Sequence, residues 1–183
     1  MATMNVVGEF VERLEAVDGL AHGPMPAANA MATAIDLSGD PGTYLGWDDV
    51  GVPRIHQALQ AAGWMRLDHV VSPESRLADQ QAMSAVSLGI TGADGAIARS
   101  GSIALRSGSG RPRMASLIPG THIAFLSVDN VFPTLADLSL RSQDPASASN
   151  LVLITGPSRT GDIEQELNLG VHGPKQLHVI LLR

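Results

Sequence analysis

Between Asp94 and Asp129 the chain has no acidic residue, yet Arg99, Arg106, Arg111 and Arg113 all fall there. That segment carries a charge of +4, while the remaining residues carry −10, eight bases against eighteen acids. The same region holds Gly89, Gly92, Gly95, Gly101, Gly108 and Gly110. Glycine lets backbone N–H groups approach an anion, and arginine supplies planar paired donors for a carboxylate or phosphate. Two readings fit: a loop site for an anionic ligand, or a surface hairpin whose arginines are simply solvated.

A second cluster, TGPSRTGDIEQEL from Thr155 to Leu167, begins where an apolar strand ends and runs into a helical pattern. In an open α/β sheet, ligands bind where strands finish and helices begin. Ser158, Thr160, Asp162 and Glu164 offer hydroxyls and carboxylates there, and Arg159 could hold a negative group. The same residues also suit a capped helix start, with acids placed favourably for its dipole. Among the histidines, His122 follows Pro-Gly-Thr at a strand entry and His172 sits in Val-His-Gly-Pro. Either could act as a general acid or base, or simply hold a turn together. His178, inside an apolar run, reads as core, and its spacing from His172 does not suit a metal, so no metal site is expected.

Absent motifs narrow the chemistry. The single lysine, Lys175, follows a proline, so no phosphate-binding G-x-x-x-x-G-K-[ST] exists; G-x-G-x-x-G, H-E-x-x-H and G-x-S-x-G are also missing. With no cysteine, disulfides, thiolate nucleophiles and cysteine-ligated iron–sulfur clusters are excluded in this chain. Six aromatic residues and a net charge of −6 argue against nucleic acid as a partner. The N-terminal MATMNVVGEFVERLEAVDG reads as an amphipathic acidic segment rather than a targeting peptide. No apolar run approaches the ~18 residues of a membrane span, so a soluble cytoplasmic protein without membrane insertion is expected.

The elements that would position these residues follow from periodicity. At 183 residues, 44% hydrophobic and 16% charged, the chain is long and apolar enough for one well-buried domain, 1–183. Val6, Val7, Phe10, Val11 and Leu14 predict a short first helix over Asn5–Val17, ending at Gly19. Gly23, Pro24 and Pro26 suggest a loose loop to about Thr33, followed by strand-like pieces at Ala34–Leu37 and Thr43–Trp47. Val52–Ala62 reads as a helix, Trp64–Val70 as a strand and Ser75–Leu88 as a helix with a small-residue face. Ala96–Ala98 and Ile103–Leu105 form a hairpin pattern, Phe132–Ser139 a helix, and Ser142–Asn150 a polar loop. Ile123–Val128, Leu151–Thr155 and Leu177–Leu182 are nearly continuous apolar runs, expected as strands covered on both faces. Strands alternating with helices give an α/β class.

The blocks ITGADGAIARSGSIAL, SGSGRPRMASLIPGTHIAF and TGPSRTGDIEQELNLGVHGPKQLHVILL, in that order, resemble the LUD-domain family and within it the lactate-utilisation protein C branch. The resemblance is strongest over 73–183, from Pro73 to the C-terminus; the N-terminal third, which opens with the helix and loose loop of 1–33, matches only in outline, as an amphipathic helix and weak strands. It implies a single three-layer α/β/α sandwich, like that of the sugar-phosphate isomerase, CoA-transferase and formyltetrahydrofolate cyclo-ligase group. It also implies an accessory role in bacterial oxidation of L-lactate to pyruvate, beside partner proteins that carry the iron–sulfur clusters, with no cofactor bound by this chain. The matching positions nominated for a small anionic ligand are Thr91, Gly92, Asp94, Ser100, Gly101, Arg111, Gly120, Thr121, His122, Ser158, Arg159, Thr160, Asp162, Glu164, His172 and Gly173. An alternative is a stand-alone enzyme on a sugar phosphate, folate or CoA ester, with Asp94, Glu164 and His172 as acid–base candidates.

Overall fold

The structure is a computed structural model that describes residues 2–67, 82–83, 85–141, 149–161, 167–169 and 173–183. The apolar stripe of the first segment forms α1 (Ala2–Glu15), burying Phe10 and Leu14. Six parallel strands make the main sheet: β1 (Leu20–Met25), β2 (Thr43–Gly46), β3 (Met65–Arg66), β4 (Val86–Gly92), β7 (Thr121–Ser127) and β12 (Gln176–Leu182). Their order is β1-β12-β7-β4-β2-β3. Central strands β4, β7 and β12 are buried along most of their length, as expected of a parallel sheet covered on both faces. The α/β class is therefore as the sequence implies.

A second, four-stranded sheet stands beside the first. It contains β5 (Gly95–Ile97), β6 (Ser102–Ser107), β8 (Val131–Phe132) and β9 (Asn150–Ile154), in the order β8-β5-β6-β9. The expected hairpin is its centre, with β5 and β6 antiparallel around a single 3-10 turn, Ala98–Ser100. Ile103 and Leu105 of β6 join the main core, so the two sheets share one apolar interior. A separate antiparallel pair, β10 (Arg159–Gly161) and β11 (Leu167–Leu169), completes the strands.

Three expectations are corrected. The stretch read as a loose loop followed by a strand at Ala34–Leu37 is instead β1 and a helix, α2 (Ala27–Ser38). Ala30, Ala34 and Ser38 are buried four residues apart, the spacing of a helical stripe, and Pro26 stands just before the helix. Pro24 is tolerated in β1 because that strand lies at the sheet edge, where a missing N–H need not break a ladder. Val86 and Leu88, assigned to the end of a helix, open β4. Most of that helix and residues 68–70 of the strand before it lie outside the described residues, as does 142–148 of the polar loop.

Leu151–Thr155 is the third correction. β9 pairs only with β6 among the described residues, and it alternates between half-buried and exposed, with Leu151 and Leu153 49% and 41% exposed. The remaining helices are short. α3 (Ile55–Ala61) is the core of the longer helix expected, and α4 (Leu135–Arg141) starts later than Pro133. Its start is set by reciprocal capping. The Asp137 carboxylate accepts from the Thr134 amide at 3.0 Å, and the Thr134 hydroxyl accepts from the Asp137 amide at 3.3 Å.

Candidate functional site

At the carboxyl ends of β2, β4, β7 and β12 the chain leaves the sheet, and those exits surround a cavity of about 160 Å³. This is the end at which open α/β sheets bind ligands, because strand ends and the loops after them converge there. Arg111, Asp94, Asp49, Ser127 and Asn130 supply its polar groups; Trp47, Val50, Phe125 and Leu182 supply apolar wall. The Arg111 guanidinium lies 5.1 Å from the centre of the Trp47 ring, within cation–π range. Its Nη1 donates to Asp94 Oδ1 at 2.8 Å. Asp94 is itself fixed, accepting from the Arg106 amide through Oδ2 at 2.8 Å. Arg111 has five N–H donors, and this one bond to Asp94 leaves others for a ligand.

The turn that carries Arg111 is clamped on both sides. Gly108 and Arg111 exchange backbone bonds at 3.2 and 3.0 Å. The Asp48 amide donates to the Gly110 carbonyl at 2.8 Å, and the Trp47 indole N–H donates to the Pro112 carbonyl at 3.2 Å. Gly110 has φ +68°, a left-handed conformation that strains any side chain, and an added Cβ would also make the Asp48 carboxylate turn aside. Asp48 in turn accepts from Arg66, which also donates to the Gly46 carbonyl at 2.8 Å.

The sequence-nominated residues separate into groups. Gly92, Asp94 and Arg111 meet in the cavity. Thr91 and His122 form a buried pair within the main sheet, Oγ1 to Nε2 2.8 Å, with no exposed surface and His122 Nδ1 unpartnered. Burial, with a lesser contribution from nearby His178, pushes the His122 pKa down to about 3, so the ring is neutral near pH 7. A ligand in the cavity does not reach it in this conformation. Ser100 and Gly101 belong to the turn of the second sheet, where Ser100, Ser102 and Thr155 form a chain of hydroxyls at 2.7 and 2.6 Å.

Gly101 packs against α1. Its φ is +65°, and a Cβ would sit 2.4 Å from the Leu14 backbone nitrogen. Gly120, Thr121, Ser158 and Gly173 gather at the amino end of the main sheet. There Lys175 N–H bonds the Gly120 carbonyl and Ser158 N–H bonds the Pro174 carbonyl, both at 2.8 Å. Six residue steps along extended β7 separate Thr121 from Ser127, roughly 20 Å, so this set and the cavity are distinct places. Arg159 and Thr160 lie in β10. Asp162, Glu164 and His172 lie outside the described residues.

Sequence reasoning missed Trp47, Asp49, Ser127 and Asn130. The available signal was positional: each lies at or just after the end of a recognisable apolar strand. A larger cavity, about 470 Å³, lies beside α3 and β3, lined by Tyr44, His56, Trp64 and Arg66 among others. His56 Nε2 donates to the Trp47 carbonyl at 2.8 Å, and Nδ1 meets the Tyr44 hydroxyl at 3.1 Å. Since a carbonyl only accepts, the neutral ring carries its proton on Nε2. Both ring nitrogens are thus committed, and the smaller cavity is the better candidate.

The family model of the LUD domain matches residues 7–182. The chain belongs to the LUD domain family. The match includes α1 from Val7 onward, β1 and α2, so this LUD domain extends beyond the blocks nearest the C-terminus. Among relatives, "Lactate utilization protein C" of Geobacillus sp. (strain WCH70) is 34% identical over 100 residues, covering 52% of this chain and 42% of that protein. The protein of the same name from Halalkalibacterium halodurans is 32% identical over 133 residues, 70% of this chain and 55% of that protein. The chain thus spans about half the length of the curated relatives it matches. A crystal structure of a DUF162 family protein from Deinococcus radiodurans superposes with a TM-score of 0.68 at 19% identity, covering 100% of this chain and 99% of that one. That likeness establishes the fold of this LUD domain. Among the described residues, no helix is long and apolar enough to cross a membrane, and no group of His, Asp and Glu is arranged to hold a metal ion.

Proposed function

We propose that this LUD domain is an accessory subunit of a bacterial lactate-utilisation system, and that its carboxyl-end cavity binds a small monocarboxylate. The observation that carries the reading is Arg111, held between the Asp94 carboxylate and the Trp47 ring with donors to spare, on the wall of a cavity of about 160 Å³. That volume is below the about 300–1,000 Å³ of pockets for drug-sized ligands, so a ligand of a few heavy atoms fits it. The names of the relatives supply the metabolic context. Iron–sulfur clusters belong on partner proteins in this reading, since the chain has no cysteine, and the cytoplasm is the compartment the reading assigns.

Charge weighs against the enzyme reading on sugar phosphates, folates or CoA esters. Asp49 and Asp94 line the cavity with Arg111, a formal −1 that opposes a multiply charged ligand more strongly than a singly charged carboxylate paired with Arg111. The test is a thermal-shift and calorimetric panel of L-lactate, pyruvate, phosphate, sugar phosphates, folates and CoA. A ligand at a hundred times its dissociation constant stabilises by about 2.7 kcal/mol, a shift of about 5–10 °C for a domain of this size. Lactate or pyruvate is expected to give that shift, and Arg111→Ala to weaken it about tenfold or more, since a hydrogen bond to a charged group is worth about 1.5–3 kcal/mol. Binding that survives Arg111→Ala unchanged, or a response to phosphorylated ligands alone, overturns the reading.

A further inference from the structure

We propose that Arg66, on the edge strand β3, is a positioning residue for Arg111, acting through the Gly46-Trp47-Asp48 segment at the end of β2; this rests on the monocarboxylate reading above. Arg66 is not among the residues that line the Arg111 cavity, so any effect it has on the ligand is indirect. Its Nη2 bonds two acceptors, the Gly46 carbonyl at 2.8 Å and the Asp48 carboxylate. Those acceptors flank Trp47, and Trp47 and Asp48 hold the carbonyls on either side of Arg111. The Asp48 amide takes Gly110 O, and the Trp47 indole takes Pro112 O. The Trp47 ring also carries the Arg111 guanidinium at 5.1 Å.

One arginine therefore braces the dipeptide that brackets and underlies the other. A methyl added at Gly110 would meet the Asp48 carboxylate, so the side chain that Arg66 binds is an immediate neighbour of the Arg111 turn, and the Asp48 amide ties the two backbones together. The Arg66–Asp48 ion pair is largely exposed, with side chains 30% and 68% accessible, and contributes little to stability as a charge pair. Its contribution lies in geometry, because small displacements of a ligand-holding group weaken binding disproportionately.

The experiment measures L-lactate and pyruvate affinity by calorimetry, together with Tm, for the wild-type protein, Arg66→Met, Arg66→Lys, Arg111→Lys and the Arg66→Met/Arg111→Lys double variant. Methionine keeps the apolar stem and removes the donors. The expected result is about a fivefold weakening in Arg66→Met with little change in Tm. Arg66→Lys should recover most of the affinity. The double variant should bind within about twofold of Arg111→Lys alone, since residues acting through one another are non-additive. Wild-type affinity in Arg66→Met, a fall in Tm alone, or losses that multiply in the double variant overturn the positioning role while leaving the monocarboxylate site intact. Absence of carboxylate binding to the wild-type protein overturns both.

Discussion

Arg111 meets three neighbours of different chemistry: a carboxylate that anchors it, an indole within cation–π range, and a cavity that it lines with its remaining N–H groups. Its acidic anchor holds the guanidinium in place, so an arriving carboxylate meets donors that are already oriented, which lowers the entropic cost of binding. Gly101 shows the other meaning a glycine in the same segment can have. It was nominated as a ligand contact, but its left-handed backbone presses on the Arg13–Leu14 main chain of α1. Gly101→Ala is expected to cost about 2 kcal/mol or more, lowering Tm by about 4–8 °C, with carboxylate affinity unchanged. A thermal melt beside a titration separates the two roles; loss of affinity at constant Tm would return Gly101 to a ligand site.

Elements differ in how well they could be read. α1, β7 and β12 follow their apolar patterns because burial of those stripes is the dominant local demand. α2 was masked by Pro24 and Pro26, which signal a loop to any local reading yet here mark an edge strand and a helix start. β9 looks like a central strand from composition, NLVLI, but ends at the margin of the second sheet, where Leu151 and Leu153 face out. Its position gives a simple test. Leu151→Ser should change stability by no more than about 0.5 kcal/mol, as exposed sites do, whereas Leu105→Ala on the neighbouring β6 should cost about 2–5 kcal/mol. Denaturant melts of both variants check the contrast, and equal costs would mean that β9 is covered.

The whole molecule responds to pH through its buried histidines. Burial and His178 hold His122 down at about 3, and burial and His22 hold His178 down at about 4. Their ordinary pKa in an unfolded chain is about 6.5. Below pH 6.5 the unfolded chain therefore takes up protons that the folded chain refuses, so stability falls as pH drops toward 4 and the contribution levels off below the folded values. Each histidine adds at most about 1.4 kcal/mol per pH unit to that slope. Tm measured from pH 7 to 5, where most carboxylates remain ionised, should fall steadily, and His178→Gln should make the decline shallower. A flat profile over that range would mean that both rings are reachable by protons in the folded state.

Sequence by itself determined the α/β class, the hairpin, the strands β7 and β12 and the family, because each is written in local periodicity or in contiguous blocks. It also singled out the acid-free arginine segment, which supplies Arg111. Only the tertiary structure decided which nominated residues share a place. Asp94 and Arg111 are 17 residues apart and touch, whereas Thr121 and Ser127 are six apart and lie at opposite ends of one strand. The physical reason is that a parallel sheet returns every strand to the same starting edge. Loops distant in sequence then converge at one end, while neighbours along an extended strand are carried apart at roughly 3.3 Å per residue. Trp47 and Asp48 had no chemical motif to mark them; their role exists because β2 stops beside the turn that carries Arg111.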